Sequence, residues 1–216
     1  MYFLSISIKS DCGLSRAAQS SEKKIITLNL INKLNLNNIV AFTLSQDIQT
    51  LKDGLLTDFK KYNILKGKKS SFIFGVKDSH GIIPSILDSS SIPLFPFYAE
   101  NGNETFQLLT PDKDSIDILI SYIEKTNKIE TTSYERILDG DSLHTIFRKI
   151  NRIAYISNLT DMEMKIVRRA LNEGFYSWPR SFDLMAISNS FNLTKPTVLY
   201  HLRNAERKIM ESLFGQ

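Results

Sequence analysis

Residues Asn189–Ile209 read NSFNLTKPTVLYHLRNAERKI, two apolar patterns separated by a short polar break, with Pro196 just inside the second. A proline inside a helix removes an amide donor and collides with the preceding turn, but in the first turn it costs nothing because those amides are unpaired. Thr194 stands where an N-cap belongs, and Lys195 and Pro196 follow it, so the proline starts a helix. Val198, Leu202, Ala205, Ile209 and Leu213 recur every three or four residues and are expected on its buried side. The outward arc then holds Pro196, Tyr200, Arg203, Asn204 and Arg207, with Leu199 on its shoulder, an odd mixture for an inert surface.

Upstream, Asn192 occupies the turn, where asparagine tolerates a left-handed backbone best after glycine, and Leu193 can plug it. Asp183 is the expected N-cap of a short helix whose inward face is Leu184, Ile187, Ser188 and Phe191. Before that, Thr160-Asp161-Met162-Glu163 has the form of a capping box opening a helix with Ile166, Val167, Ala170 and Leu171 as its stripe, and Gly174 suits its end. The aromatic run Phe175-Tyr176-Ser177-Trp178-Pro179-Arg180 is expected to pack as core.

Two helices joined by a tight turn of about four residues, the second presenting polar and aromatic groups at its N-terminal half, is the helix-turn-helix that reads DNA. In the major groove Arg203 can pair with guanine, Leu199 and Tyr200 can meet a thymine methyl, and Thr194 and Lys195 are placed for phosphates. With Pro196, Thr197 and Arg207 these make the candidate DNA-binding set. A bundle whose helices merely pack has the same spacing, so the spacing leaves both readings open.

A connecting helix is expected over 141–157, with Leu143, Ile146, Phe147, Ile150 and Ala154 on one face and Asp141 or Ser142 as cap. Arg148 and Arg152 project from the opposite side, with Lys149 at its edge. Together with Arg180 these arginines are candidate phosphate contacts; a solvated linker face is the alternative. Charge follows the same division. Residues 142–216 hold 11 Lys and Arg against 6 Asp and Glu, and residues 1–141 hold 16 against 17, so the net +4 resides in the C-terminal third.

Residues 1–140 read as an α/β sensor or dimerisation domain. Short strands are expected at Tyr2–Ile8, Lys24–Leu30, Asn38–Leu44 and Ser71–Lys77, and Ile92–Tyr98 with Glu104–Leu109 form a hairpin around Asn101-Gly102-Asn103. A last strand is expected over Lys128–Glu135. One amphipathic helix is signalled by Ile48, Leu51, Leu55, Leu56, Phe59 and Tyr62 behind a Ser45 cap, another by Ile116, Leu119, Ile120 and Ile123 behind Pro111 and Asp112; Ile82–Ser91 is ambiguous. Strands mixed with two such helices predict a ferredoxin-like α/β sandwich, or a tandem of such units. The whole chain is then α+β, with an all-α helix-turn-helix domain over 158–216.

Chemistry is sparse. One cysteine, Cys12, excludes an internal disulfide framework, and His80, His144 and His201 cannot build a zinc site with cysteines that are absent, so neither metal nor other cofactor is expected. Asp78-Ser79-His80-Gly81 juxtaposes catalytic residue types, but sequence neighbours point different ways and an ordinary turn is the expectation. Cys12 reads as a loop or core cysteine rather than a reactive thiol, because a neighbouring anion raises its pKa. The start MYFLSISIKSDCG lacks a basic leader, and no run approaches the roughly 20 apolar residues of a membrane span, so a cytoplasmic location without membrane contact is expected.

The segment Leu159–Phe214 closely resembles the helix-turn-helix domain of archaeal bacterio-opsin-activator-type transcription regulators. The marks are Leu159-Thr160, Gly174-Phe175-Tyr176 with Pro179-Arg180, the turn Asn192-Leu193-Thr194-Lys195, and Thr197-Val198 followed by His201-Leu202-Arg203 and Ala205-Glu206-Arg207-Lys208. Ser188 stands where the family usually has alanine, and Asn192 where the turn usually has glycine. The resemblance implies a double-stranded-DNA-binding transcription regulator, with a variable N-terminal domain that senses a small-molecule or protein signal. A homodimer is expected, since two reading heads add their contacts. Two other classes stand beside this: an adaptor that docks its helix-turn-helix on the transcription machinery, and a small-molecule enzyme, for which only Asp78, Ser79, His80 and Cys12 are on offer.

Overall fold

The structure, a computed structural model of the 216-residue chain, describes every residue except 69, 157, 158, 180, 182, 215 and 216, and the side chains of all described residues outside 151–156. The chain divides into two compact units, Met1–Ile150 and Asn151–Gln216.

The first unit runs β1 (Tyr2–Lys9), α1 (Gly13–Ser20), β2 (Ile25–Lys33), β3 (Leu36–Thr43), α2 (Ile48–Leu55), β4 (Phe59–Lys66) and β5 (Ser71–Asp78). It continues with α3 (Ile82–Asp88), β6 (Ile92–Pro93), β7 (Phe97–Glu100), β8 (Asn103–Thr110), α4 (Lys113–Glu124), β9 (Ile129–Arg136) and α5 (Gly140–Ile156), the last of which runs on past Ile150. The strands form one antiparallel sheet in the order β4-β5-β3-β2-β7-β8-β1-β9, with β6 paired to β8.

That order contains the same device twice. β3-α2-β4 is split by β5, and β8-α4-β9 is split by β1, so each half has the split β-α-β build of a ferredoxin-like sheet. The halves join where β2 pairs antiparallel with β7, Ile26 opposite Tyr98. The chain's first strand thus lies inside the half formed mostly by its later residues.

Period-two patterning fixes which face is buried. Leu4, Ile6 and Ile8 of β1 point to the face covered by α3 and α4, where they meet Phe106, Leu108, Ile116 and Leu119. Ile25, Ile39, Ala41 and Ile73 meet Leu51 and Leu55 of α2 and Ala17 and Ala18 of α1. The two helices cross closely: a Cβ at Gly54 would lie 2.6 Å from Ala17 Cβ, so only glycine fits there. On the sheet's other face Ile146 and Ile150 of α5 pack with Leu94, Phe3, Leu109 and Ile137.

Four local expectations are corrected. The helix expected to reach Tyr62 ends at Leu55, and Phe59 and Tyr62 belong to β4, where Phe59 packs against the backbone left bare by Gly75 of β5. Its N-cap is Asp47, whose carboxylate accepts from the Thr50 amide at 3.1 Å, while buried Ser45 accepts from Asp47 N at 3.3 Å. Gly13–Ser20, not expected to be helical, is α1, with Cys12 as its cap. On α5 the cap is Asp139, which accepts from Ser142 N at 2.8 Å, and Phe147 of the expected apolar face is exposed. The ambiguous Ile82–Ser91 stretch forms α3 over its first part, and Asn101-Gly102 turns the β7–β8 hairpin with φ of 52° and 75°.

The second unit contains α6 (Asp161–Asn172), α7 (Leu184–Phe191) and α8 (Lys195–Phe214) around one core: Ile166, Ala170, Phe175, Ile187, Val198 and Leu202, with Leu184, Phe191 and Leu193 against it. An antiparallel-sheet unit followed by helices makes the chain α+β. None of the described helices is long and apolar enough to cross a membrane.

Candidate nucleic-acid interface

Both turns of the helical unit are set by left-handed residues at helix ends. Gly174 has φ +83°, its amide donates to Leu171 O, and the Phe175 amide donates to Ala170 O at 2.8 Å. Asn192 has φ 53° and ψ 43°, its amide donates to Asn189 O, and the Leu193 amide donates to Ser188 O at 3.0 Å. Each is a Schellman motif whose following residue, Phe175 or Leu193, is apolar and enters the core. Ser188 is buried, and its hydroxyl donates forward to Leu193 O at 3.0 Å rather than to a carbonyl one turn back. The hydroxyl therefore adds a bond to the α7–α8 turn that alanine cannot.

Thr194 starts α8 as expected: its Oγ1 accepts from the Thr197 amide at 3.3 Å and lies 2.8 Å from Thr197 Oγ1. Val198, Leu202 and Ala205 are buried and fix the rotation of the helix. Ile209 is half-buried and Leu213 exposed, so the expected buried side fades over the last two turns. With the rotation fixed, Lys195, Pro196, Leu199, Tyr200, Arg203 and Arg207 are exposed, Tyr200 to 65%, and Thr197 is half-buried beneath them. The turn and the first turns of α8 thus bring all eight candidate DNA-binding residues onto one surface.

That surface carries internal ion pairs. Arg203 Nη1 donates to Glu206 Oε2 at 2.9 Å, and the Tyr176 hydroxyl donates to Glu206 Oε1 at 2.8 Å, so one carboxylate holds both groups. Arg207 Nη1 donates to Glu211 Oε1 at 2.7 Å. Behind them, Glu163 completes the capping box with Thr160 and receives Lys208 Nζ at 2.7 Å. Burial alone would raise the Glu163 carboxyl, but Lys208 and the Thr160 hydrogen bonds outweigh it and hold its pKa below the usual carboxylate value. The pairing with Lys208, 45 residues away, and the role of Glu206 gave no sequence signal beyond ordinary helix-surface charge.

Arg148 is exposed on α5, whereas Lys149 beside it is drawn to Glu135, 3.6 Å away. The Arg152 side chain and Arg180 lie outside the described residues. Trp178, expected in a packed connection, is 97% exposed, whereas Phe175 is buried. In the first unit Asp78 pairs with Lys60, Ser79 Oγ accepts from Asn32, and His80 Nδ1 lies 2.8 Å from Asp78 O, so the quartet is a turn and not a triad. Cys12 donates to Glu104 at 3.0 Å; burial first, and the Glu104 charge second, push its thiol pKa up to about 12, the opposite of an activated nucleophile. Among the described residues no cluster of His, Cys, Asp and Glu could hold a metal.

Residues 159–211 match a family profile described as an HTH DNA binding domain. A protein of Haloferax volcanii named "Putative transcriptional regulator" is 35% identical over 65 residues, which are 30% of this chain and 11% of that protein. The similarity therefore spans about a tenth of the relative's length. No solved structure matches the chain. With this match, the α6–α8 segment is a helix-turn-helix DNA-binding domain.

Proposed function

We propose that this protein is a sequence-specific transcription regulator that reads double-stranded DNA with the N-terminal half of α8, binds as a homodimer, and is switched by a ligand or protein partner at its N-terminal unit. The observation that carries the reading is the exposed row on α8, held in fixed rotation by Val198 and Leu202 and in fixed position by the Asn192 turn. In the major groove Arg203 pairs with a guanine edge and Leu199 and Tyr200 cover a thymine methyl. Thr194, Lys195, Pro196 and Thr197 meet the backbone at the helix start, and Arg207, Arg148, Arg152 and Arg180 add phosphate contacts. No catalysis and no cofactor enter this reading, and the cytoplasm is its setting.

The test is in-vitro site selection from random duplexes at stated salt, with Arg203→Ala and Lys195→Ala alongside the wild type. Arg203→Ala relaxes preference at one base position at a cost of about 1–3 kcal/mol, whereas Lys195→Ala weakens all sequences about equally. If the wild-type chain enriches no motif, and its DNA binding is weak and wholly salt-controlled, the regulator reading loses to that of an adaptor docking on the transcription machinery.

A further inference from the structure

The N-terminal unit holds a cavity of about 380 Å³ where the two half-sheets meet, bounded by α1, the start of α3 and the α2–β4 turn. That volume falls within the roughly 300–1,000 Å³ of small-molecule sites. Its walls are mixed: Ile8, Leu30, Phe97 and Phe106 give an apolar floor, with the Phe97 and Phe106 rings 4.8 Å apart. Three carboxylates and two permanent cations also line it, with His80 beside them.

The pairing of those charges decides what the cavity can take. Arg16 Nε donates to Asp11 Oδ1 at 2.6 Å, which neutralises that pair at the rim. Lys77 Nζ donates to Asp58 Oδ2 at 2.9 Å, and the Gly13 amide donates to Asp58 Oδ1 at 3.0 Å. His80 Nε2 is 4.0 Å from the same carboxylate. Glu104 is left over. It accepts from the Ser10 hydroxyl at 2.6 Å and from the Cys12 thiol at 3.0 Å, both neutral donors, and no cation pairs with it among the described residues. Lys77 is shared: its charge acts on Glu104 as well as on Asp58, and its hydrogen bond goes to Asp58. At the start of α1 the Gly13 amide is taken by Asp58 and the Ser15 amide by Cys12 Sγ, which leaves little there for an anion.

We propose that this cavity binds a small organic cation, an amine or quaternary ammonium with an apolar body, its charge at Glu104 and its body on Phe97 and Phe106. The proposal rests on the reading of the N-terminal unit as the ligand-controlled part of the regulator. A cation balances the excess of three carboxylates over two basic side chains in the lining and gains from aromatic faces, whereas an anion of the same shape meets Glu104 with like charge. Ser10 and Cys12 act as positioning residues that hold both carboxylate oxygens toward the cavity.

Calorimetric titration of the full chain tests this with benzyltrimethylammonium and phenethylammonium as cations, benzyl alcohol as neutral analogue and phenylacetate as anion. At least one cation is expected to bind about tenfold or more tightly than the neutral and anionic probes, and Glu104→Gln to weaken it about tenfold. Glu100→Gln, at the end of β7, outside the cavity lining and paired with Lys24, should leave it unchanged. Binding of neither cation, or equal binding of phenylacetate, overturns the proposal, and this comparison among probes on the wild type stands even if Glu104→Gln does not fold. Site selection on the same preparation separates the two readings. A motif enriched without cation binding sinks only the cation site; cation binding without any enriched motif sinks the regulator.

Discussion

Lys208 Nζ lies 3.0 Å and 2.7 Å from the two carboxylate oxygens of Glu163, tying the C-terminal half of α8 to the first turn of α6. The carboxylate is 5% exposed and the ammonium 26%, so this pair is shielded enough to matter for stability. Glu163 also caps its own helix through Thr160, so a single side chain serves both a helix end and a helix–helix contact. Glu163→Gln is expected to destabilise the helical unit by about 2 kcal/mol, through the lost charge partner of Lys208 and a weakened cap. The sign with pH follows from the depressed carboxyl: its contribution is fully present above the unfolded pKa and is lost as pH falls through the lower, folded value. Urea titrations at pH 7 and pH 3 check both points, since the gap between variant and wild type should narrow at the lower pH.

Glu206 governs Arg203 on the surface proposed to read DNA. It accepts from Arg203 and from the Tyr176 hydroxyl, so the guanidinium is held in place before DNA arrives. Glu206→Gln removes a negative charge facing the phosphates and loosens that hold. Affinity for all duplexes should therefore rise, the salt slope should steepen by about one, and the margin between selected and random sequence should shrink. Anisotropy titrations at several salt concentrations read all three. A margin that widens would show that Glu206 does not position Arg203.

Asn192 carries the α7–α8 turn in the left-handed region at φ 53°. A β-branched residue there is strained by about 1–2 kcal/mol, while glycine relieves a few tenths to about 1 kcal/mol of steric cost. Thermal unfolding should rank Asn192→Gly at or above wild type and Asn192→Val well below it. DNA affinity should follow the same order, because the turn sets where α8 begins. Equal melting of all three would mean that the turn is not limiting for this unit's stability.

These three residues also mark what was legible in the sequence. Helix ends are local events, so Thr160, Gly174, Asp183, Asn192 and Thr194 could be placed from spacing and residue type, and the structure puts each at a helix end. The mixture of strands and helices that suggests a ferredoxin-like unit was likewise within reach, because strands such as β1 and β3 alternate cleanly. The failures came where local pattern was ambiguous or the partner distant. Phe59 and Tyr62 continue a helical spacing from Leu55, but the register with β5 claims them for a strand. α1 packs through Gly13, Leu14, Ser15, Ala17 and Ala18, a stripe with a single large apolar side chain over two turns and so a weak one to read. Glu104 and Glu163 look like surface acids until chain segments 92 and 45 residues away supply Cys12 and Lys208.

Cys12 supplies the last prediction. Its thiol donates to Glu104 and its sulfur accepts from the Ser15 amide, and burial with the nearby charge raises its pKa from the ordinary 9.0 to about 12. Because the thiolate is the reactive form, alkylation by iodoacetamide at pH 8 should be slower in the folded chain than in urea by roughly two orders of magnitude or more. Mass spectrometry reads this without ambiguity, as the sequence contains one cysteine. The raised pKa also fixes a direction for stability. The neutral thiol's contribution is fully present below the unfolded pKa near 9.0 and is lost as pH rises toward about 12. Cys12→Ser, whose hydroxyl does not ionise in that range, should lose less stability than wild type between pH 9 and 11. Fast alkylation of the native chain, or identical alkaline unfolding of the two proteins, would show that burial and Glu104 do not keep the thiol protonated.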